Sequence, residues 1–287
     1  MPLFRLMRLA LAVIPLIAAL GCGSVGTVTS IEADPPTRGL LAMLQREQAP
    51  TQEDRGYRVE IGTPDGSPIG AGETELVLRV TDADGEPVSQ FREDMTKLMH
   101  LILVSGDLSS FQHLHPEHEG DGVFRVRASF PFAGRFLLTT EFKPDRKDVT
   151  VVRQWATVAG EARADAVVEP DLEFVKQTDG LRVTLSASPA VTNLKAGQMV
   201  MLLFRLADGK TGEPVKELEP FLGTSGHCVI LNREADQYVH AHAAEGMSGG
   251  ANVMFHAVFP EKGVYKLWGQ FQHEGRTITV PFVVNVG

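Results

Sequence analysis

From residue 55 onward, apolar residues alternate with polar ones or run for strand lengths, and helical periodicity largely disappears. "YRVEIGTP" (57–64), "ELVLRVTDADGEPV" (75–88), "KLMHLILVSG" (97–106), "FRVRASFPFAGRFLLTTEF" (124–142) and "DVTVVRQWATV" (148–158) are separated by Gly, Pro and Asp turns. A second set follows: "LRVTLSAS" (181–188), "QMVMLLFRLADGKTGEPV" (198–215), "SGHCVILNRE" (225–234), "ANVMFHAVFPEKGVYKLWGQF" (251–271) and "TITVPFVVNV" (277–286). Short strands at this spacing predict an all-β sandwich.

The second set repeats the first. "GEPV" stands at 85–88 and 212–215, an offset of 127, and the same offset carries His100 to His227, Phe111 to Tyr238, His113 to His240 and His115 to His242. Phe130, Pro131 and Gly134 return as Phe259, Pro260 and Gly263 at an offset of 129, as a loop two residues longer in the second copy requires. The pattern predicts two tandem immunoglobulin-like β-sandwich domains, at 53–160 and 168–287, with the boundary in "GEARADAVVEPD" (160–171).

Ahead of the repeats the chain is different. "MPLFRLMRLALAVIPLIAALGC" has two arginines, a short apolar run interrupted by Pro15, and small residues before Cys22. This predicts a signal peptide over 1–22, with Cys22 lipidated as in bacterial lipoproteins. Residues 23–52, rich in Gly, Ser, Thr and Pro, predict a flexible tether in which "LLAMLQREQ" (40–48) forms a short amphipathic helix. The expected location is the cell envelope, lipid-anchored and facing the periplasm or the extracellular side.

Composition narrows the partners. Loss of Arg5 and Arg8 with the signal takes the formal charge from −9 to −11, and no basic stripe is present to bind phosphates, so nucleic acid is not an expected partner. Cys22 and Cys228 are the two cysteines, so with Cys22 lipidated no internal disulfide remains. Stability must then come from apolar cores, for which about 265 residues in two domains suffice.

The repeated histidines are the candidate chemistry. If Gly106-Asp107 form a two-residue hairpin loop, His100 pairs with His113, and Arg233-Glu234 would set His227 opposite His240. His115 and His242 then share the face of their strand neighbours, so three imidazoles converge in each domain. Such a group suits copper or zinc, which accept neutral ring nitrogens at about 2.0–2.1 Å. Two other roles fit the same residues: hydrogen-bonding backbone at the end of a sandwich, and pH sensing. His256 and His273, present in the second copy alone, are candidate additional ligands. His118 reads as a surface histidine, Met254 as core, and Cys228 as a buried hydrophobe facing away from His227.

"DADGEPV", "MHLILVSGDLSSFQHLHP" and "WGQFQHEGRTITVPFVV" resemble bacterial YtkA-like domains, extracytoplasmic β-sandwiches related in style to CopC-like copper carriers. The resemblance spans 55–160 and 170–287. It implies heavy-metal handling, with metal residues carried to His100, His113 and His115 and to His227, His240 and His242. The second copy has "HAHA" where the first has "HLHP". No phosphate loop, nucleophile elbow or His-Glu-x-x-His helix is present, so no enzyme is expected. The expected function is a lipoprotein that binds copper or zinc, with a metal transporter or other envelope protein as partner. The alternative is an adhesion or assembly module with structural histidines.

Overall fold

The computed structural model describes residues 55–145, 148–244, 246 and 248–287. The predicted signal peptide, Cys22, the tether and the helix at 40–48 lie outside them. The chain is all-β, built as two tandem immunoglobulin-like sandwiches. No helix among the described residues is long and apolar enough to cross a membrane.

The first domain contains β1 (Arg58–Gly62), β2 (Gly72–Thr81), β3 (Phe91–Arg92), β4 (Met99–Ser105), β5 (Phe111–Leu114), β6 (Glu117–Gly120), β7 (Val123–Phe130), β8 (Gly134–Pro144) and β9 (Thr150–Val158). One sheet has the order β1-β2-β7-β6; the other runs β3-β8-β4-β5, with β9 on the far side of β8. The second domain contains β10 (Val175–Thr178), β11 (Leu181–Ser188), β12 (Met199–Asp208), β13 (His227–Asn232), β14 (Tyr238–His242), β15 (Asn252–Val258), β16 (Gly263–His273) and β17 (Arg276–Val286). Its sheets are β10-β11-β12-β15 and β14-β13-β16-β17. At the offsets of 127 and 129, β13, β14 and β16 are the counterparts of β4, β5 and β8.

Every residue of β4 and of β13 is buried. An antiparallel strand with one wet face would alternate instead. On β4, Met99, Leu101 and Leu103 enter their own sandwich's core, and on β13 Cys228 and Ile230 do the same. The other faces meet each other. Ile102, Val104, Leu108 and Leu137 of the first domain join Val229, Leu231, Ala235, Tyr238 and Trp268 of the second in one apolar cluster. Phe111 stacks on Trp268 with centroids 4.9 Å apart and planes 13° from parallel. The two sandwiches are therefore joined sheet face to sheet face, and the histidine ends of β4 and β13 lie on the joined faces.

The hairpins differ from expectation by two residues. Ile102, not His100, pairs with His113, and His227 pairs with His242 while Val229 pairs with His240. The cause is a four-residue loop: Ser105 N–H donates to Ser110 O and Asn232 N–H to Gln237 O. Ser105 Oγ accepts from the Ser109 and Ser110 amides, and Asn232 Oδ1 accepts from those of Asp236 and Gln237. Leu108 and Ala235 take the left-handed position, at φ 54° and 57°. A shift of two keeps every side chain on its face, so the histidines still converge; a shift of one would have scattered them.

Candidate metal centre

The six repeated histidines form one continuous group between the domains. His100 Nδ1 lies 3.0 Å from His113 Nε2, and His227 Nδ1 lies 3.1 Å from His240 Nε2. His115 packs 5.1 Å from His100, and His242 packs 5.0 Å from His227, centroid to centroid. Across the domain boundary, His113 is 5.3 Å from His240 and His100 is 6.3 Å from His227. Two ligand groups arise, with one nitrogen of each member within 4.8 Å of the others: His100, His113 and His115, and His113, His227 and His240. The second group draws on both domains and shares His113 with the first.

Each domain orients the other's ring. Glu141 Oε2 on β8 lies 2.6 Å from His240 Nδ1, and Gln270 Oε1 on β16 lies 2.7 Å from His113 Nδ1. Glu141 and Gln270 are equivalents at the offset of 129, so the same repeat that pairs the histidines also pairs the groups that hold them. A carboxylate only accepts, so His240 carries its proton on Nδ1 and leaves Nε2 bare. Bonded to Gln270 Oε1, His113 takes the same tautomer. His100 Nε2 donates to the Asp94 carbonyl at 2.9 Å, which leaves Nδ1 bare and facing the bare Nε2 of His113. His227 Nε2 and His115 Nε2 are buried without a hydrogen-bond partner.

Burial holds these rings neutral. It is the largest cause pushing His113, His240 and His227 well below the ordinary imidazole value, with neighbouring histidines adding to it. His115 is pushed down to about 3, and His242 is lowered as well, in both cases chiefly by burial. Neutral imidazoles with bare nitrogens facing one another are what a borderline metal accepts. Atoms bound to one tetrahedral ion at about 2.0–2.1 Å stand about 3.3 Å apart, near the 3.0 and 3.1 Å separations of the two ring pairs.

The turns leading into β4 and β13 are also matched. Asp94 and Lys97 exchange two backbone bonds around Met95 and Thr96, as Phe221 and Thr224 do around Leu222 and Gly223, and all four central residues have positive φ. A Cβ on Gly223 would lie 3.3 Å from Thr96 Cγ2, so the two turns meet.

The remaining candidates lie elsewhere. His256 pairs with Met201 in the other sheet, and its neighbours Phe255 and Ala257 enter the core, so its ring leaves by the opposite face. Met254 shares that face rather than the core. His273, at the end of β16, has the parity of Phe271 and not of Gln270, which carries it off the histidine face. Neither histidine joins a ligand group among the described residues. His118 is not a free surface histidine: its ring packs 4.6 Å from Phe124 and 5.2 Å from Phe91. Cys228 is fully buried in the second core, and burial pushes its thiol up, away from the thiolate a metal needs.

Fold and site define a tandem β-sandwich protein with a histidine cluster between its domains. The chain belongs to the family described as Domain of unknown function (DUF8832), whose model matches twice, at 51–160 and 176–287. No curated protein matches the sequence. Among solved structures, the chain is similar to FdeC, an Escherichia coli adhesin, at 16% identity and TM-score 0.26, covering 82% of this chain and 65% of that one. It is similar to invasin, a bacterial integrin-binding protein, at 13% identity and TM-score 0.24, covering 80% and 39%. A two-domain fibronectin type III segment of chicken tenascin matches at 10% identity and TM-score 0.22, covering 80% and 98%.

Proposed function

We propose that this protein binds a transition metal ion, copper or zinc, in the histidine centre between its two domains. On this reading it is a lipid-anchored envelope protein, tethered through Cys22, that handles metal as the YtkA-like resemblance implies. The supporting observation is the pair of bare nitrogens, His100 Nδ1 and His113 Nε2, facing each other at 3.0 Å with their other nitrogens committed to Asp94 and Gln270. A cation between them satisfies both. Shared by His113 with His227 and His240 of the second domain, the ion would supply a positive charge that fastens the domains together, with Glu141 orienting His240 behind it. The test is titration of the full chain with Cu(II), Cu(I) and Zn(II). Binding that is lost in a His113→Ala, His240→Ala double variant supports the reading.

The same 3.0 Å separation of His100 Nδ1 and His113 Nε2 favours a second reading, because it is also the length of an N–H···N hydrogen bond. With the Gln270 amide turned over, N–H donors run unbroken from Gln270 through His113 and His100 to the Asp94 carbonyl. The histidines would then be structural clamps in an adhesion or assembly module. No binding above that of the double variant, together with a lowered melting temperature in the variant, favours that module.

A further inference from the structure

The contacts between the two domains are reciprocal, and the reciprocity is broken at the two ends of the histidine group. Beside His115, a cavity of about 430 Å³ lies between the domains, lined by Lys97, His113, His115, Phe221, Gln270 and Thr279 among others. At the matching end, His242 lies under the influence of Glu141, Asp94 and Lys143. Lys143 Nζ pairs with Asp94 Oδ1, and these side chains are 27% and 14% exposed. Their equivalents beside His115 are Gln272 and Phe221, at the offsets of 129 and 127, and these form no ion pair. One end is cross-linked by charge; the other holds the cavity.

The ligand groups are unequal in the same sense. His115 belongs only to the outer group and lines the cavity, whereas His227 and His240 belong only to the inner group and do not line it. His113 belongs to both groups and lines the cavity as well. We infer that the ion enters by this cavity alone, is first held by His100, His113 and His115, and is passed by way of His113 to His113, His227 and His240. This rests on the metal-binding reading. The transfer is ligand exchange: His240 and His227 nitrogens replace those of His115 and His100 on the ion while His113 stays bound, with no change of redox state or proton count. The inner position has Glu141 behind one of its ligands and is the resting place. His115 is a loading ligand, absent from the final set.

Two measurements separate this inference from the reading beneath it. The first needs no metal: the metal-free full chain is treated with diethyl pyrocarbonate and its histidines are mapped by mass spectrometry. His115 is expected to react at least about tenfold faster than His242, because His115 lines the cavity whereas the Lys143–Asp94 ion pair stands over His242. Lys143→Ala is expected to raise the His242 rate. Equal rates in the unsubstituted chain overturn the single entrance. The second is rapid-mixing uptake of Cu(II) or Zn(II). His115→Ala is expected to slow loading at least about tenfold with affinity changed less than about threefold, while His242→Ala leaves the loading rate unchanged. Equal slowing by both, or by neither, overturns the relay. A chain that takes up no metal refutes the metal-binding reading and the relay with it, and the first measurement still decides the entrance.

Discussion

Glu141 and Gln270 stand at equivalent positions of the two domains, 129 residues apart, and each holds the Nδ1 of a histidine belonging to the other domain. Duplication has thus produced a reciprocal grip, with a carboxylate on one side and an amide on the other. A carboxylate raises the basicity of the ring nitrogen that faces the ion. Glu141→Gln is therefore expected to lower metal affinity about 10- to 100-fold at nearly unchanged shape. Competition against a chelator of known affinity measures this, and an unchanged affinity would remove Glu141 from the account.

Acid should loosen the protein. His113, His227 and His240 have folded pKa values pushed below the unfolded value of about 6.5. Below that pH the unfolded chain takes up protons that the folded chain does not, so stability is complete above about 6.5 and falls as pH drops through it. Each such ring contributes up to about 1.4 kcal/mol per pH unit. The melting temperature is expected to fall from pH 7.5 to 5.5, and less steeply in a His113→Ala, His240→Ala variant. A flat profile contradicts the neutral cluster.

Trp268 carries much of the apolar contact between domains, being 3% exposed and stacked on Phe111. Trp268→Ala is expected to cost about 3–5 kcal/mol in urea unfolding. A loss below about 1 kcal/mol would mean that the domains do not depend on this contact.

Gly226 precedes His227, and a Cβ there would lie 2.8 Å from the Gln270 carbonyl oxygen and 2.9 Å from the Phe271 ring. Gly226→Ala must push β13 from β16, at a cost of about 1–3 kcal/mol, and spread His227 from its partners. Gly249→Ala, where nothing lies within 4 Å, is the control. Equal melting temperatures for the two variants would refute the close approach.

The two-residue period made the sandwiches and the histidine faces legible, because parity survives an error of two in register. The register itself was not legible, since the loop is closed by Ser105 and Asn232 side chains that no turn dipeptide announces. "MHLILVS" and "HCVILN" contain no charged residue on either face, the available sign that both faces are covered, and this was the clue to the joined domains. Glu141 and Gln270 were within reach of the offset that links Phe130 to Phe259. His256 and His273 failed for a simpler reason: strand parity sends both away from the shared face.

The most direct test is a metal titration of the full chain beside His113→Ala and His240→Ala, one substitution in each domain. If the centre is shared, each single change weakens the same tight binding event. If each variant instead loses one of two independent sites and keeps the other at full affinity, the domains bind separately and the shared centre is contradicted.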